Sequence, residues 1–202
     1  MRVAFGIVAL LLTVHAPAQA AIFTFDSDPF AGSTALTTPG RQIVGGEPSI
    51  VFDPATDVFE FALSAFGPYG FGPTINFVND TDTNLPTSGV NVIVLQNFGP
   101  PMAAGIAASL IAAQITSPGA GFFVYFNTGL DLPRLVFSTN LDDNTADLKI
   151  IARLTNLTGA AGREALADFT AANFATVPEP STLLLGTAGT LYFARRALRR
   201  RR

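Results

Sequence analysis

Short runs of alternating apolar and polar residues recur along the chain, and this period of two constrains the fold more than any other feature. Between residues 148 and 154 the even positions are apolar, whereas Lys149 and Arg153 occupy the other set. Successive side chains of a β-strand point to opposite faces, so such runs are typical of half-buried strands. The predicted strands cover residues 23–25, 59–63, 75–77, 90–95, 122–126 and 148–154.

Turn-forming residues separate these runs. Examples are Thr38-Pro39-Gly40, Asp53-Pro54 and Pro86-Thr87-Ser88-Gly89, in which proline and glycine set backbone angles that a strand cannot continue. Short, frequent strands of this kind favour an antiparallel sandwich or a jelly-roll-like barrel. Sixteen of the 18 phenylalanines lie in residues 22–176, enough to fill one core. We therefore predict a single mainly-β domain there, with about seven to nine strands.

One alanine-rich segment departs from the period of two. Residues 102–116 follow Pro100-Pro101 and precede Ser117-Pro118-Gly119, and proline at both ends is typical of a helix. The segment belongs to an uncharged stretch, residues 83–130, but about 15 residues are too few to span a membrane. It is predicted to be a helix packed on the core. A second, weaker helix is predicted at residues 163–169.

The N-terminus has the pattern of a signal peptide. Met1-Arg2 supplies a positive charge, residues 3–14 are apolar, and Ala18-Gln19-Ala20 has the small-x-small spacing of a signal-peptidase site. The sequence predicts a signal peptide over residues 1–21, with cleavage after Ala20 or Ala21. Export machinery and signal peptidase are then partners of the precursor.

The C-terminus combines three elements in a fixed order. Val177-Pro178-Glu179-Pro180, here called the Pro-Glu-Pro motif, precedes 14 uncharged residues at 181–194. With Pro180 and the stems of the first arginines, this segment reaches the lower limit for a transmembrane helix. Arginines resist crossing the bilayer and would hold the end cytoplasmic as a stop-transfer signal; they are Arg195, Arg196, Arg199, Arg200, Arg201 and Arg202.

A polybasic tail that binds nucleic acid or anionic lipid is the alternative interpretation of this end. Leu183-Leu184-Leu185 and Leu191-Tyr192-Phe193 are too apolar for a solvated arm. The three elements instead resemble the PEP-CTERM protein-sorting signal of Gram-negative bacteria, over residues 177–202 only. The resemblance implies handling by an exosortase, a membrane-embedded cysteine transpeptidase that recognises the motif and cuts there. Some such tails carry an ice-binding label, but Thr81 and Thr83 stand alone and form no regular Thr-x-Thr ladder.

The charge of the body differs from that of the whole chain. The chain has a formal charge of −3, but seven of its 12 basic residues lie in the two ends, leaving the body near −9. An acidic body argues against nucleic acid, whose phosphates require a basic surface, and against anionic membranes. It is compatible with life outside the cell and with weak binding of divalent cations.

The composition also limits catalysis. His15 is the single histidine and lies in the predicted signal peptide, and the chain has no cysteine or tryptophan. Imidazole bases, thiolate nucleophiles and most zinc sites are therefore excluded from the body. Lys149, the single lysine, is interpreted as a solvated charge. Carboxylate pairs of the glycosidase type remain, but they lie in turn-like stretches: Asp142, Asp143 and Asp147, and Asp53 with Asp57. We predict that the body is not an enzyme.

One polar cluster resembles the start of a calcium loop. Asp80, Asp82 and Asn84 place side-chain oxygens at alternating positions. An EF-hand requires Gly at the sixth position and Glu at the twelfth, where this chain has Leu85 and Asn91. A solvated turn between two strands is the simpler interpretation. The alternative is a weak calcium site with a dissociation constant of about 10⁻⁴ to 10⁻³ M; no other cofactor is predicted.

Two classes of function fit these observations. The first is a structural protein of the cell surface or extracellular matrix, anchored transiently in the inner membrane and then released. The second is a lectin-like module that binds carbohydrate or another ligand, with or without calcium. Exopolysaccharide is the partner expected for the second class and a matrix partner for the first. Co-sedimentation of the body with exopolysaccharide discriminates between them.

Overall fold

The computed structural model describes residues 19–178, and these form ten strands and three α-helices. Residues 1–18 of the predicted signal peptide and residues 179–202 lie outside the described residues. The strands are β1 (Ile22–Phe25), β2 (Ile43–Val44), β3 (Ser49–Ile50), β4 (Val58–Ala62), β5 (Phe77–Asp80), β6 (Val92–Leu95), β7 (Gly121–Asn127), β8 (Leu132–Ser138), β9 (Leu148–Leu154) and β10 (Phe174–Val177). The helices are α1 (Leu63–Phe66), α2 (Ala104–Ala112) and α3 (Gly159–Glu164).

The strands form two sheets. The smaller has the order β1-β4-β10, and all its strands are parallel. The larger has seven strands in the order β2-β9-β8-β7-β6-β5, and β3 pairs with β9 farther along the same edge as β2. The mainly-β prediction is therefore confirmed.

The prediction of antiparallel pairing is wrong for six of the eight pairings in the described residues. Only β7–β8 and β8–β9 are antiparallel. A period of two reveals which face a residue occupies but not the strand direction, which depends on the connections. Helix α2 lies between β6 and β7 in the chain, and a helical crossover is how neighbouring parallel strands are joined. Strand β6 is buried along its whole length, as parallel strands usually are.

Phenylalanine rings fill the space between the two sheets. Phe61 of β4 stacks on Phe122 of β7, with ring centroids 3.6 Å apart. We call this side of the larger sheet the aromatic face. Its buried residues are Val92, Val94, Phe122, Val124, Phe126, Leu135 and Phe137, together with Ile151, Ala152 and Leu154 of β9.

Helix α2 covers part of the opposite side of the larger sheet. The predicted helix at 102–116 is confirmed over Ala104–Ala112. Ala107 and Ile111 are fully buried and pack on the helix-covered face, whose sheet residues are Ile93, Leu95, Phe123, Tyr125, Val136, Leu148 and Ile150. Within residues 19–178, no helix has both the length and the apolarity needed to cross a membrane.

Smaller elements complete the domain. The second predicted helix begins earlier than expected, as α3, and continues as a 3-10 turn over Ala165–Asp168. Gly162 allows the close approach of this helix to the chain before it, since a Cβ there would lie 2.4 Å from the Leu157 carbonyl oxygen. The predicted strand at 75–77 is displaced, because β5 begins at Phe77.

Candidate functional site

The Pro-Glu-Pro motif begins at the last residue of strand β10. Val177 is the last residue of β10 and pairs with Ala62 of β4. The Thr176 hydroxyl donates to the Pro73 carbonyl at 2.8 Å, fixing the strand end. Pro178 is exposed and cannot donate a ladder hydrogen bond, since it lacks an N–H. Glu179, Pro180 and the arginine cluster lie outside the described residues.

The residue that follows or precedes the two predicted cleavage sites, Ala21, is held by the same three-stranded sheet. Strand β1 begins at Ile22, level with Val58 of β4; Ile22 directly follows Ala21 and lies two residues after Ala20. The Ala21 carbonyl accepts a hydrogen bond from the Val58 N–H at 2.9 Å. Because β1, β4 and β10 are parallel, the chain enters at one end of this sheet and leaves at the other.

The predicted calcium residues bond to one another and to neighbouring loops. Asp80 Oδ1 accepts from the Thr81 N–H at 2.7 Å and from the Asn84 side-chain amide at 3.0 Å. Asp82 Oδ1 accepts from the Asn97 amide at 2.8 Å. The hydrogen bond from Asn84, followed by that from Thr81, lowers the pKa of Asp80. The cluster forms the turn that leads to buried Leu85, and calcium binding there stays a prediction.

Coordination of a metal ion by a cluster of acidic side chains has no support in the described part of the chain. No three His, Cys, Asp or Glu side chains come together there as a metal-binding group. The predicted calcium set differs from such a group, since it combines two carboxylates with the amide of Asn84.

The carboxylates considered for catalysis hold loops together. Asp147 accepts hydrogen bonds from the Leu36 and Gln42 N–H groups, each at 2.6 Å. Asp143 accepts from the Thr145 N–H at 2.7 Å, and this bond lowers its pKa. A general acid requires a raised pKa, so the shift of Asp143 is in the opposite direction.

The second predicted acidic pair also serves the backbone. Asp53 Oδ1 accepts from the Ala55 N–H at 3.0 Å, and Asp57 Oδ2 accepts from the Asp53 N–H at 2.8 Å. Asp57 is 6% exposed. Burial raises the pKa of Asp57, but hydrogen bonds from Asp53, Ala21 and Thr56 lower it by more.

The sequence did not identify the most buried of the ion pairs in the described residues. Glu47 has a side chain that is 2% exposed, and it pairs with Arg134 and, at 2.6 Å, with Arg153 Nε. These three residues form the Glu47 cluster. Burial raises the pKa of Glu47, but hydrogen bonds and charge from the arginines hold it below its usual value. Arg134 and Arg153 are paired across β8 and β9. In the sequence, the one signal that the two arginines lie on the same face of the sheet is their alternation with apolar neighbours.

A cleft of about 310 Å³ lies between the end of β1 and the edge of β9. Its lining includes Asp26, Asp28, Glu47 and Lys149. Asp28 accepts from the Tyr69 hydroxyl at 2.6 Å, which lowers its pKa. Lys149 Nζ donates to the Gly45 carbonyl at 2.6 Å. The lining also includes apolar residues, among them Phe25, Phe66 and Ile151.

Comparison of the chain with protein-family models, with curated proteins and with solved structures finds no match. The resemblance of residues 177–202 to the PEP-CTERM signal therefore rests on the residues of the motif, the apolar segment and the arginine cluster.

Proposed function

We propose that this chain is an exported structural protein of the cell surface or extracellular matrix, sorted by an exosortase through residues 177–202. The observation that carries this proposal is the position of the Pro-Glu-Pro motif. Strand β10 ends at Val177, and the next residue, Pro178, is exposed. A peptidase needs an extended, accessible peptide, and this is where the body supplies one.

Cutting near residues 177–180 would also leave the body intact. Phe174 is buried and lies against Phe59 and Phe77, with ring centroids 5.7 Å and 5.5 Å apart. A cut before β10 would remove this ring from the core. A cut after Val177 preserves every pairing of β10 with β4 and releases only the anchor.

The proposed route has three stages. A signal peptide over residues 1–21 directs export, and residues 181–194 then form a transmembrane helix. The arginines hold the tail cytoplasmic, because each would cost about 2.5–3.5 kcal/mol at the bilayer centre on insertion scales. Exosortase cuts the motif at the outer surface, so a sandwich-like body with an acidic surface reaches the envelope or matrix.

Mass spectrometry of the extracellular protein tests the sorting proposal. We expect a C-terminus between residues 177 and 180 and no arginine cluster. Replacing Pro178, Glu179 and Pro180 together by alanine should leave the protein in the membrane fraction with its tail. The matched control is Pro118→Ala, at an exposed proline in a turn, which should leave processing unchanged. Unchanged processing of the triple variant refutes exosortase sorting.

We propose carbohydrate binding in the cleft between β1 and β9 as the second function, since its lining combines carboxylates and one amine with apolar side chains. Co-sedimentation with cell-derived exopolysaccharide measures it. Asp26→Asn combined with Lys149→Ala should reduce the bound fraction, whereas Asp168→Asn, at an exposed residue that does not line the cleft, should not. Equal binding by both variants contradicts a role for the cleft.

A further inference from the structure

Asp57 holds the backbone at the point where export would cut the chain. The Ala21 N–H donates to Asp57 Oδ1 at 2.8 Å. The Ala21 carbonyl accepts from the Val58 N–H, so Ala21 is fixed on both sides. Ala20 and Gln19, which precede it, are exposed, whereas Ala21 is half-buried.

The Asp57 carboxylate is buried without a cationic partner. Its described hydrogen-bond donors are neutral: the N–H groups of Ala21 and Asp53, and the Thr56 hydroxyl at 3.1 Å. None of the ion pairs within residues 19–178 includes it. Buried charges are usually paired, so this carboxylate is prepared for a positive group at the position of the Ala21 nitrogen.

We propose that Asp57 is the receiving site for the N-terminus that signal-peptide removal creates, and that this N-terminus is Ala21. Hydrolysis of the Ala20–Ala21 amide adds water, leaving the carboxyl group on Ala20 and the amine on Ala21. At neutral pH the amine takes up a proton, and the N–H···O hydrogen bond becomes an ammonium–carboxylate pair. The inference rests on the proposed function, because it requires export and removal of the signal peptide.

The same contacts select between the two cleavage sites. Cleavage after Ala20 retains the Ala21 carbonyl that bonds to Val58 and places the new charge against Asp57. Cleavage after Ala21 removes both contacts and begins the chain at Ile22, which is 61% exposed. The geometry therefore favours a mature protein that begins at Ala21.

Amine labelling of the exported protein tests the pair. The full chain is expressed in a Gram-negative host, and the exported form is analysed by mass spectrometry for its first residue. That form contains only two amines, the α-amine and Lys149, so Lys149 is an internal reference. If pairing with Asp57 raises the α-amine pKa by one unit, the unprotonated fraction of the amine, which is the reactive form, falls about tenfold. We expect Asp57→Asn to increase α-amine labelling about tenfold relative to Lys149.

The control variant and the unfolded protein complete the experiment. Asp53→Asn, whose side chain bonds only to the Ala55 N–H, should leave the labelling ratio unchanged. If Asp57→Asn does not fold, the wild-type protein unfolded in urea replaces it, and its α-amine should gain reactivity by the same factor. If the mature protein begins at Ile22, the ion pair is refuted and the export proposal stands. The same holds if the labelling ratio is unchanged both in Asp57→Asn and in the unfolded protein. Retention of the signal peptide overturns the ion pair and the export proposal together.

Discussion

The two faces of the larger sheet are packed differently, although the same strands supply both. On β7, Phe122 and Phe126 point to the aromatic face, whereas Phe123 and Tyr125 point to the helix-covered face. Phe122 has four rings with centroids within 5 Å of its own: Phe61, Phe66, Phe71 and Phe137. Phe123 has one described aromatic neighbour, Tyr125, at 5.9 Å.

The difference shows two ways to bury one sheet. Large rings fill the space between two sheets, so stability on that side depends on apolar area and ring contacts. On the other side, small alanines let a helix of nine residues approach, and the Glu47 cluster lies beside Tyr125 on the same face. That side depends on residue size at a few positions and on the pairing of the buried Glu47 carboxylate with two arginines.

Removal of one aromatic ring from each face tests the comparison, and it is expected to have the largest effect on the free energy of unfolding. Phe122→Ala should lower the free energy of unfolding by about 3–5 kcal/mol, since it leaves a cavity and removes several ring contacts. Phe123 is equally buried, and Phe123→Ala should cost at least about 1 kcal/mol less because it loses one aromatic contact. Urea denaturation measures both. Equal losses would contradict the distinction between the faces.

Neutralising Glu47 should have the next largest effect. Glu47→Gln leaves Arg134, whose side chain is 14% exposed, without its carboxylate partner, at a cost of about 2–3 kcal/mol at pH 7. The control is Asp131→Asn, which removes a pair whose side chains are 40% and 56% exposed and should cost less than about 1 kcal/mol.

The same variant has a defined pH dependence. Because the folded-state pKa of Glu47 lies below its ordinary value, its contribution is present above the ordinary pKa. The contribution is lost as the pH falls through the lowered value. The stability difference between wild type and Glu47→Gln should therefore shrink in acid. A difference that is constant from pH 7 down to pH 2 would contradict the role of the carboxylate charge.

Enlarging a buried alanine of α2 should have a smaller effect. Ala107 is fully buried on the helix-covered face, so Ala107→Leu should destabilise by about 1–2 kcal/mol through overpacking. Ala113→Leu, at the exposed end of the helix, is the size-matched control and should be nearly neutral. Thermal denaturation compares them. A neutral Ala107→Leu would show that small residues do not limit the approach of the helix.

The sequence predicted the mainly-β class because a period of two recurs in its short apolar runs. In β9 a bulge interrupts this period, so Leu148 and Ile150 lie on the helix-covered face whereas Ala152 and Leu154 lie on the aromatic face, and the four residues do not share the single face that their spacing predicts.

The sequence also predicted α2, because prolines bound an alanine-rich segment. Strand β8 escaped prediction, since Pro133 and Arg134 interrupt its apolar pattern at the end that follows the hairpin turn. Strand direction was not predictable from alternation, although the helix between β6 and β7 was an available signal.

The site was predictable only where it is local in sequence. The Pro-Glu-Pro motif and the Ala18-Gln19-Ala20 pattern are contiguous, so their residues could be named directly. The Glu47 cluster joins residues 87 and 106 positions apart, and Asp57 meets Ala21 across 36 positions. Such contacts arise from sheet pairing, and no pattern within a single run of sequence contains them.

Replacing a hydroxyl at the margin of the aromatic face should have the smallest effect. Tyr69 packs edge-on against Phe30, with centroids 5.3 Å apart, and donates to Asp28. Tyr69→Phe keeps the ring and removes this exposed hydrogen bond, at a cost of about 0.5–1 kcal/mol at pH 8. If ring area stabilises this face, the variant should stay well folded, and Tyr69→Ala should lose considerably more.

The alkaline range separates the hydroxyl from the ring. Burial, with the hydrogen bond and charge of Asp28, raises the pKa of Tyr69 to about 12. The neutral phenol is thus favoured in the folded state, and its contribution is complete below the ordinary pKa of about 10 and is lost as the pH rises towards 12. Tyr125 titrates in both proteins and cancels in the comparison. The stability difference between wild type and Tyr69→Phe, measured by urea unfolding, should be constant from pH 7 to 9 and shrink by pH 11. A difference that grows with pH would mean that the ionised phenol, and not the neutral donor, holds this margin of the face.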